Sequence, residues 1–219
     1  IYGVGGGITW DSTWESEYRE VHQKAAVLYR KQARFQLITT GKISQKSLLF
    51  ENQHIERLTK ASRYFSYPFD AEYLKQKIEG ECQACEANQD YRLRISLSKS
   101  GEVELSRQVL APLSPTFCQA KLCLQEMDLN QVFTYFKTSY RPHLNLGEQE
   151  KIYYNKSGEL LETSIGNLVL KIAGKLYTPP IRLGILPGIY RQHLLERGQV
   201  EEKVLTLTDL AQVEAIYGC

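Results

Sequence analysis

Between Ile152 and Thr178 the chain alternates short apolar runs with turn residues, and this alternation most limits what it can fold into. Residues 152–155, 160–162, 167–172 and 176–178 are broken by Lys156-Ser157-Gly158 and by Ala173-Gly174, and they read as meandering strands. Upstream the pattern is mixed. Residues 35–40 and 47–50 read as strands either side of a glycine-containing connection. Residues 51–65 read as a helix turning Ile55, Leu58, Ala61 and Phe65 inward. A second helix over 70–87 begins with Asp70 as its cap. Residues 91–97 and 103–110 form a hairpin around Ser100-Gly101, and 116–125 is a further strand. Residues 128–131 connect to the second half, and 133–136 lead straight to Lys137. The last assigned element is a helix over 188–196, behind the Pro187 turn; no strand is assigned after it. The head of the chain is separate in pattern. Residues 12–34 look helical, with Ser12 as N-cap, Glu15 completing a capping box, and Val21, Ala25, Leu28 and Ala33 along one side.

Composition bounds the partners. At 219 residues, 42% hydrophobic and 24% charged, the chain can bury a sizeable core as one domain or two small ones. A net charge of +2, from 27 basic and 25 acidic residues, gives no sign of nucleic acid or an anionic membrane as partner. No apolar run approaches the roughly 20 residues of a membrane span, and no signal peptide opens the chain, so a soluble, cytoplasmic protein is expected. Five cysteines, an odd number, argue against a disulfide framework. Cys82 and Cys85 form a C-x-x-C on the 70–87 helix. With no second pair and no nearby histidine they read as structural thiols rather than a zinc or redox site.

Three segments carry chemistry. They are Phe136-Lys137-Thr138-Ser139-Tyr140-Arg141, Leu161-Glu162-Thr163-Ser164-Ile165-Gly166-Asn167 and Gly184-Ile185-Leu186-Pro187-Gly188-Ile189-Tyr190-Arg191. Singly they are ordinary: a lysine at a strand end is usually solvated, and a Leu-Pro-Gly turn usually only redirects the chain. In this order they match the needs of pyridoxal phosphate. Its aldehyde needs a primary amine, its pyridine nitrogen an acid partner, and its phosphate backbone N–H groups and an arginine.

These segments, with Gln53-His54-Ile55-Glu56-Arg57-Leu58 upstream and Tyr177-Thr178-Pro179-Pro180 between, resemble the fold-type IV pyridoxal phosphate enzymes: branched-chain aminotransferase, D-amino-acid aminotransferase and aminodeoxychorismate lyase. The resemblance runs from about residue 35 to the end. It implies Lys137 as the Schiff-base lysine, Glu162 as the partner of the pyridine nitrogen and Arg57 as the phosphate-binding arginine. It also implies that the N–H groups of Ile189 and Tyr190 bind the same phosphate at a helix N-terminus. The implied architecture is α+β: a small α+β domain over 35–127, then a cofactor-binding, barrel-like domain over 128–219, with the cofactor in the cleft between. Arg141 is a candidate for a substrate carboxylate, and Thr39 and Thr40 are candidates for the pocket wall. Relatives are dimers, so a homodimer is expected.

The head, Ile1-Tyr2-Gly3-Val4-Gly5-Gly6-Gly7-Ile8-Thr9-Trp10-Asp11-Ser12 followed by Glu15-Ser16-Glu17-Tyr18-Arg19-Glu20, resembles the last motif of chorismate-utilising synthases, para-aminobenzoate synthase component I in particular. There the resemblance makes residues 1–34 the remnant of a chorismate-binding domain and Glu17 and Glu20 its magnesium ligands. Magnesium is expected only with that full domain. The residues by themselves allow plainer readings, a glycine linker and an acidic helix start. Together the two resemblances imply a 4-amino-4-deoxychorismate lyase fused behind a synthase, giving 4-aminobenzoate and pyruvate from aminodeoxychorismate, with a glutamine amidotransferase subunit reached through the synthase part. The alternatives are an aminotransferase on the same cofactor and a non-catalytic domain of the synthase. The chain departs from the family in three places. The stretch from Lys137 to Glu162 is short where relatives place a helix, Pro142 stands where aminotransferases often carry tyrosine, and relatives run on past Cys219 with a barrel-closing segment.

Overall fold

The computed structural model describes residues 3–29, 34–111, 119–125, 132–144, 147 and 149–219. Contacts divide the chain into two units, Ile1–Arg34 and Phe35–Cys219. In the first unit Trp14–Tyr29 form helix α1. Its cap is Thr13, not Ser12. Thr13 Oγ1 accepts the Ser16 N–H at 3.3 Å while Ser16 Oγ accepts the Thr13 N–H at 3.2 Å, a reciprocal box set one residue later than the sequence suggests. The Ser12 hydroxyl instead donates to Glu17 Oε1 at 2.7 Å. Val21 and Ala25 are half-buried. The Leu28 side chain and Ala33 lie outside the described residues.

In the second unit Leu37–Ser44 form β1 and Ser47–Leu48 form β2, joined by a two-residue turn with Gln45 at φ 50° and Lys46 at φ 59°. Two left-handed residues are what a type I′ hairpin turn requires. Gly41 therefore lies inside β1 and not in the connection, and the reason is space. A Cβ on Gly41 would sit 2.6 Å from His54 Nε2 and 2.7 Å from Leu48 Cδ1. The helix that brings His54 there is α2, Glu51–Phe65, as the periodicity predicts, with Leu58 and Ala61 fully buried. Helix α3 spans Ala71–Gln83, shorter than the sequence suggests. Asp70 caps it by accepting the N–H groups of Glu72 and Tyr73 at 3.0 Å each. The expected hairpin forms as β3, Tyr91–Leu97, and β4, Val103–Val109. The sheet order is β2-β1-β3-β4, antiparallel throughout. Leu37, Ile43, Leu58, Leu74, Ile78 and Leu93 meet in one hydrocarbon core beneath the helices. Each side chain buried this way contributes about 1.5–3 kcal/mol.

The rest of the unit is strand-rich. Ala120–Leu124 form β5, which pairs in parallel with β6, Glu150–Tyr154; β6 pairs antiparallel with β7, Leu160–Thr163. Leu168–Ile172 (β8) and Lys175–Thr178 (β9) form a hairpin whose turn residues Ala173 and Gly174 have φ 49° and 77°. Helix α4, Ile189–Glu196, then carries the chain across to β10, Glu201–Glu202, which lies parallel to β9. A parallel pair needs such a crossover. The chain ends in β11, Val213–Gly218, antiparallel to β8, where the sequence pattern assigns no strand. No helix occurs among the described residues between Lys137 and Glu162, in keeping with the short connection. Residues 112–118 and 126–131, which include the start of the expected 116–125 strand and the 128–131 connection, lie outside the described residues. No described helix is long and apolar enough to cross a membrane.

Candidate active site

Long-range backbone hydrogen bonds fix Lys137 in place. The Lys137 carbonyl accepts the Ile38 N–H at 2.9 Å; the Ser139 N–H donates to the Gln36 carbonyl and the Ser139 hydroxyl oxygen accepts the Gln36 N–H, both at 2.9 Å. The segment after the 3-10 turn Val132–Thr134 is thus clamped to the start of β1. Its ammonium group is half-buried among cations. Burial first, then Arg57 and Arg141, push its pKa down to about 8, with Glu162 acting in the opposite direction. A neutral amine is therefore accessible near physiological pH.

Glu162 sits on β7 and is 2% exposed. Burial lifts its pKa to about 7, against the pull of Arg141, the Leu186 N–H and Lys137. Oε2 accepts the Leu186 N–H at 3.3 Å. Oε1 is buried with no partner among the described residues. A buried carboxylate oxygen without a donor is costly unless something supplies one.

Arg57 lies in α2, one turn beyond the buried His54. Its Nη2 donates to Pro187 O at 2.5 Å, and burial lowers its pKa to about 10, so it stays charged at neutral pH. Helix α4 begins beside it. Gly188 is the N-cap and offers no side chain to the first-turn N–H groups, which include those of Ile189 and Tyr190. Gly188 is glycine for lack of room, since a Cβ would lie 1.9 Å from Asn167 Oδ1. Arg191, 1% exposed, anchors the helix by donating to Thr178 Oγ1 at 3.3 Å, Pro179 O at 2.8 Å and Glu202 Oε1 at 2.5 Å. Arg57, Lys137, Gly188 and Ile189 line one cleft of about 330 Å³ between α2 and α4, floored by Phe50 and Phe136.

The remaining candidates are placed differently. Arg141 donates to Ser164 O at 3.4 Å and sits beside Glu162, which acts on its charge. Thr39 is fully buried with Oγ1 2.6 Å from His54 Nδ1. It belongs to the helix–sheet interface, not the cleft wall. Thr40 is on the other face of β1 and does not line the cleft either. In the first unit, Glu17 Oε2 and Glu20 Oε1 each lie 3.2 Å from where a Gly6 Cβ would be, and Glu20 pairs with Lys24 at 2.5 Å. Among the described residues no group of three or more His, Cys, Asp or Glu could hold a metal. Cys82 and Cys85 are buried free thiols in the core of the first sheet.

Sequence pattern misses two contributors. Arg92, on β3, adds its charge to those lowering the Lys137 pKa; strand alternation of Arg92 with Leu93 gave the only hint. Asn167 stands in a quoted motif, but its contacts to Leu186 and Gly188 are visible only in three dimensions.

Residues 36–219 match the family model described as amino-transferase class IV, and the chain belongs to that family. A Schizosaccharomyces pombe protein provisionally assigned as an aminodeoxychorismate lyase is 25% identical over 163 residues, 68% of each chain. Among solved structures, a provisionally assigned amino-acid aminotransferase from Mesorhizobium loti is 26% identical with TM-score 0.71, covering 83% of this chain and 92% of that one. The pyridoxal-phosphate-bound form of a hypothetical aminotransferase from Mycobacterium tuberculosis shares the fold at 21% identity and TM-score 0.67, covering 84% and 76%. The architecture is therefore the α+β fold of the fold-type IV enzymes, a pyridoxal-phosphate-dependent family.

Proposed function

We propose that this chain binds pyridoxal phosphate and acts as a 4-amino-4-deoxychorismate lyase. The observation that carries the cofactor is Glu162 Oε1, a buried acceptor with no partner among the described residues, in a site that also holds a half-buried lysine. A pyridinium N–H is the donor such an oxygen lacks. Lys137 suits the aldehyde, and Arg57 with the first turn of α4 suits the phosphate. The lyase reading over its relatives is supported by the Schizosaccharomyces pombe protein and by the synthase-like head. The same head supports a place in a para-aminobenzoate synthase fusion, with magnesium at Glu17 and Glu20 in the full domain.

When bound, the cofactor supplies an aldehyde for the substrate amine and a ring that accepts an electron pair. The protein does the rest. Lys137, neutral above about pH 8, takes the proton from the carbon bearing the amino nitrogen and returns one to the methylene carbon of the departing enolpyruvyl group. The C–O bond breaks, pyruvate leaves and the ring becomes aromatic. Glu162 holds a proton at the pyridine nitrogen, an interaction that strengthens as charge develops. Arg57 and α4 hold the phosphate still. Arg141, beside Glu162, pulls against the burial that raises the carboxyl, without overcoming it in the empty site.

The test is product analysis. Protein loaded with pyridoxal phosphate and given aminodeoxychorismate should release 4-aminobenzoate and pyruvate in equal amounts. Amino-group exchange between an amino donor and a keto acid, with no 4-aminobenzoate formed, would instead establish the aminotransferase alternative, which the Mesorhizobium loti structure favours.

A further inference from the structure

The two ends of the proposed cofactor site, the carboxylate and the phosphate cup, are far apart in sequence yet meet at one side chain. Asn167 is 2% exposed. Its backbone is bridged to Glu162 on one side and exchanges two hydrogen bonds with Cys219 on the other, at 2.7 and 2.9 Å. It therefore cannot shift without moving β7 or β11. Its Nδ2 donates to Leu186 O at 2.8 Å. The N–H of the same Leu186 donates to Glu162 Oε2. Asn167 Oδ1 fills the space a Gly188 side chain would need, so the turn leading into α4 packs directly on the amide.

We propose that Asn167 is a positioning residue that locks the Glu162 carboxylate and the phosphate-binding turn into one rigid piece through Leu186 and Gly188. Asn167 touches no reacting atom. Its amide holds the Leu186 carbonyl so that the Leu186 N–H faces Oε2, which leaves Oε1 as the oxygen free for the cofactor. It also sets how closely Gly188 and the first turn of α4 can approach. No other side chain of this size fits. Aspartate would set a charged acceptor against the Leu186 carbonyl, and leucine would leave that buried carbonyl unpaired. Phosphate affinity and the charge on the ring nitrogen should therefore fail together when Asn167 is changed, although they are read by different chemistry.

This inference rests on the cofactor reading, and the experiment separates the two. The full chain and its Asn167→Ala, Asn167→Asp, Gly188→Ala and Asn167→Ala/Gly188→Ala forms are titrated with pyridoxal phosphate and with pyridoxal, which lacks the phosphate. The pH midpoint of the bound chromophore is then measured, with Glu162→Gln as reference. In the Asn167 variants the preference for pyridoxal phosphate over pyridoxal should fall about tenfold, the size expected for one buried hydrogen bond. The pH midpoint should move in the direction that Glu162→Gln moves it. Gly188→Ala should lose cofactor affinity, and adding Asn167→Ala should restore part of it by removing the overlap. A merely structural asparagine would lower melting temperature but leave both the preference and the midpoint unchanged in the protein that binds. That result overturns the proposal, as does a double variant no better than Gly188→Ala. Asn167→Asp keeps the volume and so provides the answer if Asn167→Ala does not fold. A wild-type chain that forms no borohydride-stable adduct at all overturns the cofactor reading itself, and this inference with it.

Discussion

The sheet β2-β1-β3-β4 with its helices and the strand-rich remainder of the second unit both bury hydrocarbon, but the second buries many more polar groups beside it. Beneath α2 and α3 the interior is hydrocarbon, and its few buried polar groups, such as Thr39 and His54, satisfy each other. From Thr134 onward two smaller hydrocarbon clusters, one around Leu168 and Leu170 and one around Leu161 and Ile185, share the interior with Thr138, Glu162, Ser164, Asn167, Thr178 and Arg191, polar groups joined largely through backbone carbonyls and N–H groups. Dispersion and hydrophobic burial do not depend on protonation or on a bound group. Hydrogen-bonded networks do, and an unpaired member of one is expensive. The first region therefore acts as a platform that delivers Arg57 on a rigid helix. The second contains Glu162 Oε1, a buried acceptor with no partner among the described residues.

The largest effect should come from the polar side. Lys137→Ala removes the amine that the cofactor's aldehyde needs and also deletes a desolvated cation, so the protein should fold at least as well while losing all borohydride-trapped cofactor. Mass spectrometry of the reduced protein measures this. A variant still labelled to the full extent would mean that another lysine is the partner, and the contrast between platform and chemistry would lose its centre.

The opposite experiment belongs to the platform. Leu58 is fully buried against β1 in the hydrocarbon core, one residue from Arg57. Leu58→Ala should cost about 2–5 kcal/mol of stability through lost contacts and a residual cavity. The folded fraction should still form the Lys137 adduct. Denaturant unfolding and borohydride trapping on the same sample would show it. An unchanged stability, or loss of trapping in protein that is still folded, would break the division of labour.

How much was legible in the sequence follows the same division. Helix α2 and the β3–β4 hairpin were readable because local periodicity and Ser100-Gly101 turn chemistry decide them. That Arg57 and Glu162 come within electrostatic reach of Lys137 is foreshadowed by an order that resembles a known family, while the roles of the three belong to the proposal. Local pattern leaves open which of Thr39 and Thr40 faces α2, because the parity of β1 is set by its pairing with β3. Gly41 reads as a turn residue because its true cause, the approach of His54, lies in another element. β11 and the parallel β5–β6 pair depend on partners distant in sequence, to which local patterning is blind. Asn167 belongs with these, since its contacts to Leu186 and Gly188 cross from one strand to a later turn.

The smallest predicted effect separates the two regions most finely, because it needs no cofactor. In the cofactor-free protein Glu162 titrates near pH 7 instead of its ordinary 4.5. Between these values the folded chain holds a proton there that the unfolded chain has released, so this group's contribution to stability declines as pH rises through the window. His54 and His143 act in the other direction. Both are pushed from 6.5 down to about 4, mainly by burial, so the unfolded chain binds more protons and their contribution improves as pH rises from 4 to 6.5. The raw pH–stability curve mixes these slopes. Subtracting the curve of Glu162→Gln from that of wild type isolates the glutamate. The difference should fall from about pH 4.5 to 7 and then level, with a slope no steeper than about 1.4 kcal/mol per pH unit, the limit for one proton. The same subtraction with Leu58→Ala should give a constant offset across this window, since no proton is linked to a methyl group. A flat Glu162 difference would mean that Arg141 already holds the carboxylate ionised in the empty site. In that case the acceptor meant for the ring nitrogen is satisfied by the protein itself.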